Sequence, residues 1–535
     1  MTTTLHDFNY PWVPDQGNGR FRNPVIHADY SDPDVIRHGR DFWMVASSFT
    51  ATPGLPILHS YDLVNWTLVN HAIRQVPHES YREVRPGCGV WAPSIRFHNN
   101  LFWVVFPMPD EGIYVTTATD PRDEWCEPWL LQAAKGWIDP CPFWDDDGKA
   151  YLFHAYANSR SGKKERIHAR PMSPDGRTLL GEGQEIIHTP HHAYLEGPKL
   201  HKLKDWYYIL APGGGVPQGW QVAFRSRNVF GPYEEKVVLE RGSTAINGPH
   251  QGALVDSPDG KWWFVHFQDT GPFGRITHLQ PVEWHDDWPR MGEDYDGNGV
   301  GEPVSEWTKP VLDKSIPVAI PQTSDTFDSE RLGLQWQWQA NHDGSWYSLA
   351  ARPGWLRLYA QPSALTDPCR IPHLLMQKFP ARRFSVEARI DFQPAGPGEL
   401  AGIAVIGGGE SATLSLDRTI GGYHLSFRIN GVEQSKVALP TRVMRLRVDV
   451  DENANCSFGW ADDNGEFSDC GPVFQAKEGG WMGSKVGLFS QRPINSDLSG
   501  YADFDYFQFS KLAENRGGSE WECLEISPKI DRHLT

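Results

Sequence analysis

Nothing in these 535 residues marks a membrane span, a disulfide framework or a zinc site. No apolar run approaches the roughly 18 residues needed to cross a bilayer. The cysteines, Cys88, Cys126, Cys141, Cys369, Cys456, Cys470 and Cys523, are scattered, odd in number and never spaced as a CxxC pair. Neither a bridged scaffold nor a metal ribbon is therefore expected. Basic residues are also in deficit: 50 Lys and Arg against 67 Asp and Glu give a formal net charge of −17. That balance argues against nucleic acid or an anionic membrane as partner and fits a neutral substrate. The opening "MTTTLHDFNYPWVPDQGNGRF" has neither a basic stretch nor an apolar core, so no secretion signal is read and a cytoplasmic protein with reduced thiols is expected. Patterns of helical period are nearly absent.

Aromatic residues, by contrast, are abundant. They make up 12% of the chain, with 23 Trp, which suits both β-rich folds and sugar-binding sites. Five aromatic-rich strands recur at intervals of about 50 to 60 residues: "DFWMVASSF", "NLFWVVFPM", "KAYLFHAYA", "DWYYILAP" and "KWWFVHFQD". Each follows a tight polar turn, and each is followed by a second strand and usually a third. With the strand before the turn, every unit has four. Five such units read as a five-bladed β-propeller, in which radial repetition leaves only short edges exposed.

The texture changes after the Pro-rich stretch "KPVLDKSIPVAIPQTSD". Alternating strands such as "FSVEARIDF" and "YADFDYFQFS", with Gly-rich turns, suggest a two-sheet β-sandwich. The expected all-β organisation is a lead segment over 1–20, a propeller over 21–308, a linker over 309–325, a sandwich over 326–511 and a weakly structured tail over 512–535.

Ten to twelve residues before the five aromatic strands stand Asp32, Trp91, Asp139, Glu196 and His250. A Pro lies within two residues of each, in "YSDPDVI", "GVWAPSI", "GWIDPCPFW", "AYLEGPKL" and "NGPHQGAL". A lone Asp-Pro is usually only a turn opener, but surface turns need not keep one register through five repeats. In a propeller these side chains meet around one axial cavity, a polar, aromatic-walled funnel with three carboxylates. Three carboxylates suit glycoside hydrolysis. One acid protonates the leaving oxygen, another activates water or attacks carbon, and like charges raise one another's pKa. Trp91 and Phe143 are candidate walls for sugar faces. "DYDGNGVGEPVSE" begins like a calcium loop, but its twelfth position is Ser305 rather than Glu, so a turn-rich loop is expected. "DDDG" at Asp145 to Gly148 reads as a solvated hairpin turn.

Taken together, these motifs with "PHQGALVDSPDGKWWFVHFQD" and "GRITHLQPVEWHDDWP" resemble glycoside hydrolase family 43, and within it the two-domain β-xylosidase type. "DTFDSERLGLQWQWQAN" and "WYSLAARPGWLRLYA" extend the resemblance to the C-terminal half, over about residues 21 to 511. The resemblance implies an inverting mechanism with Asp32 as general base, Glu196 as general acid and Asp139 tuning and orienting the acid. Asp34 is then a structural neighbour. Arg275, in "FGRITH", is implied to contact substrate and Asp139, and His250 to help hold a calcium ion on the propeller axis, largely through waters. The sandwich would narrow the funnel and favour exo action on short β-1,4-xylo-oligosaccharides or arabinose-decorated ones. The alternatives are an α-L-arabinofuranosidase or dual enzyme and, in another class, a non-catalytic glycan-binding propeller. Homo-oligomerisation is left open.

Overall fold

The computed structural model describes residues 10–312, 316–363 and 367–513. Nearly all of the expected tail, from residue 514, lies outside them.

Five four-stranded antiparallel sheets follow one another along the chain. Their first strands, Asp34–His38, Ser94–His98, Trp137–Trp144, Lys199–Leu203 and His250–Asp256, line the axis of a five-bladed propeller. The second strand of each blade is the aromatic one, and it is largely apolar for a simple reason. Side chains alternate across a strand, and a blade is covered on both faces. Phe42 and Met44 pack toward the fifth blade with Val255 and Val265. Trp43 and Val45 pack the other way, toward Phe102 and Val104 of the second. Tight hairpins join the strands. Asn99 and Asn100 (φ 49° and 58°) and Asp286 and Asp287 (φ 51° and 59°) take the left-handed conformation that two-residue turns of this twist require. The lead segment closes the ring: Arg20–Arg22 pairs with Glu306–Thr308, after the last blade.

Just below the pocket described next, a charged layer crosses the axis. Asp34 accepts hydrogen bonds from the Ile95 N–H (2.8 Å) and Arg96 Nη1 (2.6 Å). The fully buried Lys199 ammonium lies 3.8 Å from Asp34 and donates to the Pro93 carbonyl (2.9 Å) and Ser94 Oγ (2.7 Å). Arg96 also donates to Cys141 Sγ at 3.0 Å. Four blades are thus pinned together by groups that depend on one another. The "DDDG" turn is only partly solvated: Asp145 is buried against Tyr207 (2.6 Å) and Lys202.

The sandwich consists of two eight-stranded sheets. Strand Phe384–Gln393 shows strict alternation, with Phe384, Val386, Ala388, Ile390 and Phe392 all turned into the core against Ile403, Leu414 and Leu488 of the facing sheet. The sandwich docks on the propeller through polar contacts. Thr52 and Trp338 exchange backbone hydrogen bonds, the Val76 N–H donates to Asn341 Oδ1 (2.7 Å), and the Ser484 N–H donates to the Pro272 carbonyl (2.7 Å). The linker lies against the first blade, with the Ala319 N–H donating to Asn65 Oδ1 and the Gln322 side chain bonded to the Leu68 backbone.

The axial layer has a testable consequence. Asp34→Ala leaves Arg96 and Lys199 buried without their anion, and breaking such a pair costs about 3–5 kcal/mol. Urea unfolding at neutral pH should show that loss, and Asp34→Asn a smaller one.

Candidate active site

The axial pocket is built by a bend repeated at the head of the inner strands. Asp32 (φ 54°), Asp139 (φ 55°) and Gly197 (φ 62°) each precede a Pro in left-handed backbone, and Gln251 (φ 36°) takes a similar bend before Gly252. A left-handed residue before Pro is disfavoured and stores strain of order 1–3 kcal/mol, a cost typical of functional positions. The bend directs side chains toward the axis from two consecutive positions. Asp32 and Asp139 occupy the bend itself, whereas Glu196 and His250 stand one residue earlier; Trp91 precedes Ala92-Pro93, where the backbone is not left-handed. The five positions are therefore not strictly equivalent as expected. Bulges at Ile138/Cys141 and His250/Gly252 and hairpins of unequal length displace the count.

A pocket of about 100 Å³ brings together Asp32, Asp139, Glu196, Gln251, Arg275 and Trp91. Asp32 is held on both oxygens: Oδ2 accepts from Ser31 Oγ (2.8 Å) and Ser47 Oγ (2.6 Å), and Oδ1 from Arg275 Nη1 (3.0 Å). Asp139 is 2% exposed, and its Oδ2 accepts from the Gly197 N–H at 2.7 Å. It thereby grips the peptide next to Glu196. Burial raises the Asp139 pKa to about 6, with the Asp32 charge adding to the rise and the Gly197 N–H and Lys199 opposing it.

The Glu196 carboxyl faces the pocket and, among the described residues, receives no hydrogen bond from Arg275 or a lysine. Its pKa is pushed up to about 8, first by its low-dielectric surroundings, then by the neighbouring charges of Asp139 and Asp32. Its one side-chain partner is His250, whose Nε2 lies 3.1 Å from Oε1. Complete burial lowers the His250 pKa to about 3, so the imidazole beside Glu196 is neutral.

Two expectations change. Arg275 pairs with Asp32, not with Asp139, whose cationic neighbour is Lys199. Phe143 lies outside the pocket. It is four residues beyond Asp139 on the same extended strand, about 13 Å farther along, and it lines the opposite mouth of the axis with Trp144 and His201. The calcium expected at His250 has one protein ligand and water for the rest: the buried Nδ1 has no partner and is free to serve as that ligand, while the six to eight oxygens calcium prefers would have to come from water, since no group of three or more His, Cys or acidic side chains gathers there among the described residues. The one such group among the described residues, His191, His192 and Glu235, is unsuited to metal. Trp220 donates to His192 Nδ1 (3.1 Å), which leaves the proton on the nitrogen facing Glu235.

The sequence reading missed Trp481, Phe49 and Gln251, which complete the wall. Trp481 comes from the sandwich and meets the Trp91 ring edge-on, with centroids 4.8 Å apart. Its only signal was a Trp between glycines in "KEGGWMGSK".

With this geometry established, comparison with known proteins is informative. Residues 21–289 match the profile "Glycosyl hydrolases family 43" and residues 324–510 match "Beta xylosidase C-terminal Concanavalin A-like domain". A protein of Xylanibacter ruminicola is 47% identical over 350 residues, covering 65% of this chain and 64% of that one, so less than two thirds of that relative's length is spanned. A beta-xylosidase of Formosa agariphila is 32% identical over 92% of this chain and 91% of its own. A non-reducing end alpha-L-arabinofuranosidase of Bacteroides ovatus is 31% identical over 72% and 73%. The crystal structure of a xylan beta-1,4-xylosidase from Bacillus halodurans superposes with a TM-score of 0.80 at 26% identity, over 92% of this chain and all of that one. A profile that spans half the chain, and a relative aligned with nine tenths of it, converge with the pocket on one assignment: the chain belongs to glycoside hydrolase family 43 and is a glycoside hydrolase.

Proposed function

We propose that this hydrolase removes xylose from the non-reducing end of short β-1,4-xylo-oligosaccharides with inversion. The observation that carries the reading is the contrast between two carboxyls on one pocket. Asp32 lies among an arginine and two hydroxyl donors, whereas Glu196 lies against a neutral imidazole and two acidic neighbours. Environments that separate two carboxyls in this way assign the base and the acid.

Asp32 takes a proton from a water, which attacks the anomeric carbon. The Glu196 proton passes to the departing glycosidic oxygen, so that C–O cleavage leaves a neutral alcohol. His250, bonded to Oε1, leaves Oε2 to carry that proton. Asp139 fixes the acid's backbone through Gly197, and its charge keeps Glu196 protonated at neutral pH. No step is routed through a metal. Trp481 and Trp91 close one side of the pocket, which favours a chain end over a chain interior. The Bacteroides ovatus relative favours a second reading, α-L-arabinofuranosidase activity in place of or beside xylosidase activity.

Hydrolysis of aryl β-xyloside beside aryl α-arabinofuranoside separates the two readings, with the xyloside expected to be faster. Proton NMR should show α-xylose as the first anomer, and β-xylose first would refute inversion. Asp32→Ala and Glu196→Ala should each lower kcat/KM by about 10²–10⁴-fold; full activity in both would overturn the site. The pH profile follows from the raised acid. Glu196 loses its proton as pH rises through about 8, so kcat/KM should fall above that point. In Asp139→Asn the residual activity should lose its alkaline limb at lower pH, because a repelling charge is gone. Trp481→Ala should raise KM about 3- to 10-fold, the value of one aromatic contact, with little change in kcat.

A further inference from the structure

A second cavity, of about 50 Å³, lies between propeller and sandwich and shares no lining residue with the catalytic pocket. Its wall joins the two domains and the linker: His27, Tyr30 and His71 from the propeller, Thr323 from the linker, and Gln377 and Lys378 from the sandwich. Four of these residues carry a polar atom that is buried and has no hydrogen-bond partner: His27 Nδ1, His71 Nδ1, Thr323 Oγ1 and Gln377 Nε2. All four residues are at most 9% exposed. Buried polar groups are normally bonded, so four orphans on one cavity point to something that bonds them.

The charge on this wall narrows the choice. In a chain with 67 acidic residues, no Asp or Glu lines the cavity. The Lys378 ammonium lies 5.2 Å from the Tyr30 ring centroid and has no ion pair with a carboxylate among the described residues. Lys485 stands directly opposite it on the neighbouring strand, a second cation. One acid, Asp29, acts on both lysines, and its oxygens are shared with the Arg275 and Gly483 N–H groups at 3.0 and 2.9 Å. Burial holds His71 and His27 neutral, with pKa values near 3 and 4, so each has one N–H to offer. Water could satisfy the orphaned hydrogen bonds but would leave two lysines with one carboxylate between them. A volume of this size holds a few waters or one small anion.

We propose that this cavity binds a small oxyanion, a carboxylate or a tetrahedral group of phosphate size, between Lys378, Gln377, His71 and Thr323, and that the anion clamps the two domains together. An occupant that binds only the folded junction raises stability by mass action.

The test is thermal unfolding of the full-length protein titrated with phosphate, sulfate or acetate against chloride at equal ionic strength. A saturable rise in Tm of about 2 °C or more is expected with at least one oxyanion, and which one responds tells tetrahedral from carboxylate recognition. The rise should disappear in Lys378→Met and in Gln377→Leu, while kcat/KM on the aryl glycoside stays within about twofold. No saturable rise in the wild type, or the same rise in the variants, would overturn the site. General salting effects of sulfate are neither saturable at low concentration nor removed by one substitution. Should Lys378→Met fail to fold, Gln377→Leu carries the comparison. Calorimetric titration of the wild type with the responding anion must also give one site per chain, and any other stoichiometry counts against the proposal.

Discussion

The chemistry depends on one constraint: residues more than 200 positions apart must meet on a single axis. Five inner strands supply that axis, and a strained bend at their heads turns side chains into it. Asp32 and Asp139 hold left-handed backbone ahead of a Pro, which no residue adopts freely. The bends persist because the ring over-determines them, through side chains packed between blades on both faces and a charged layer below. The Lys199 ammonium of that layer, set against Asp34, opposes from below the mutual repulsion of the pocket's carboxyls.

That repulsion is also what gives the carboxyls different tasks. Three acids share a pocket that offers two cations, and the cations are unevenly placed. Arg275 touches Asp32, Lys199 acts on Asp139 from below, and Glu196 is left with a neutral histidine. The acid farthest from positive charge therefore keeps its proton. One protein environment thus separates chemically similar groups, by placement rather than by residue type, as the proposed base and acid require.

The fold was largely legible in the sequence, and so were the three acids, each for a physical reason. The aromatic strands stood out because blades bury both faces, which makes their second strands largely apolar. Asp32, Asp139 and Glu196 stood out because each is followed within two residues by a Pro, in a register that ordinary turns do not repeat. What escaped depended on distances the sequence does not encode. The one-residue offset of Glu196 and His250 comes from bulges and hairpin lengths that a count along the chain blurs. Phe143 was misplaced because an extended strand travels away from the pocket as fast as it leaves Asp139. Arg275 was given the wrong partner, since a long side chain reaches several acids and only packing selects one. Trp481 was out of reach: it meets Trp91 from another domain, at the turn of an unremarkable loop.

That last contact makes the sandwich part of the active site. Asp29 is the link: one oxygen accepts from the backbone of Arg275, which holds the Asp32 carboxylate, and the other accepts from Gly483, two residues beyond Trp481. The same buried carboxylate therefore sets the position of the base's cation and of the aromatic wall opposite. Glycine is required at this seam, because a Cβ on Gly483 would come within 2.6 Å of the Gly274 nitrogen. The backbones of the two domains meet there too closely to admit a side chain. A propeller separated from its sandwich would keep its three acids but lose the Trp481 wall and one of the two ties on Asp29. Domain docking and catalytic geometry are consequently a single requirement, met at one residue.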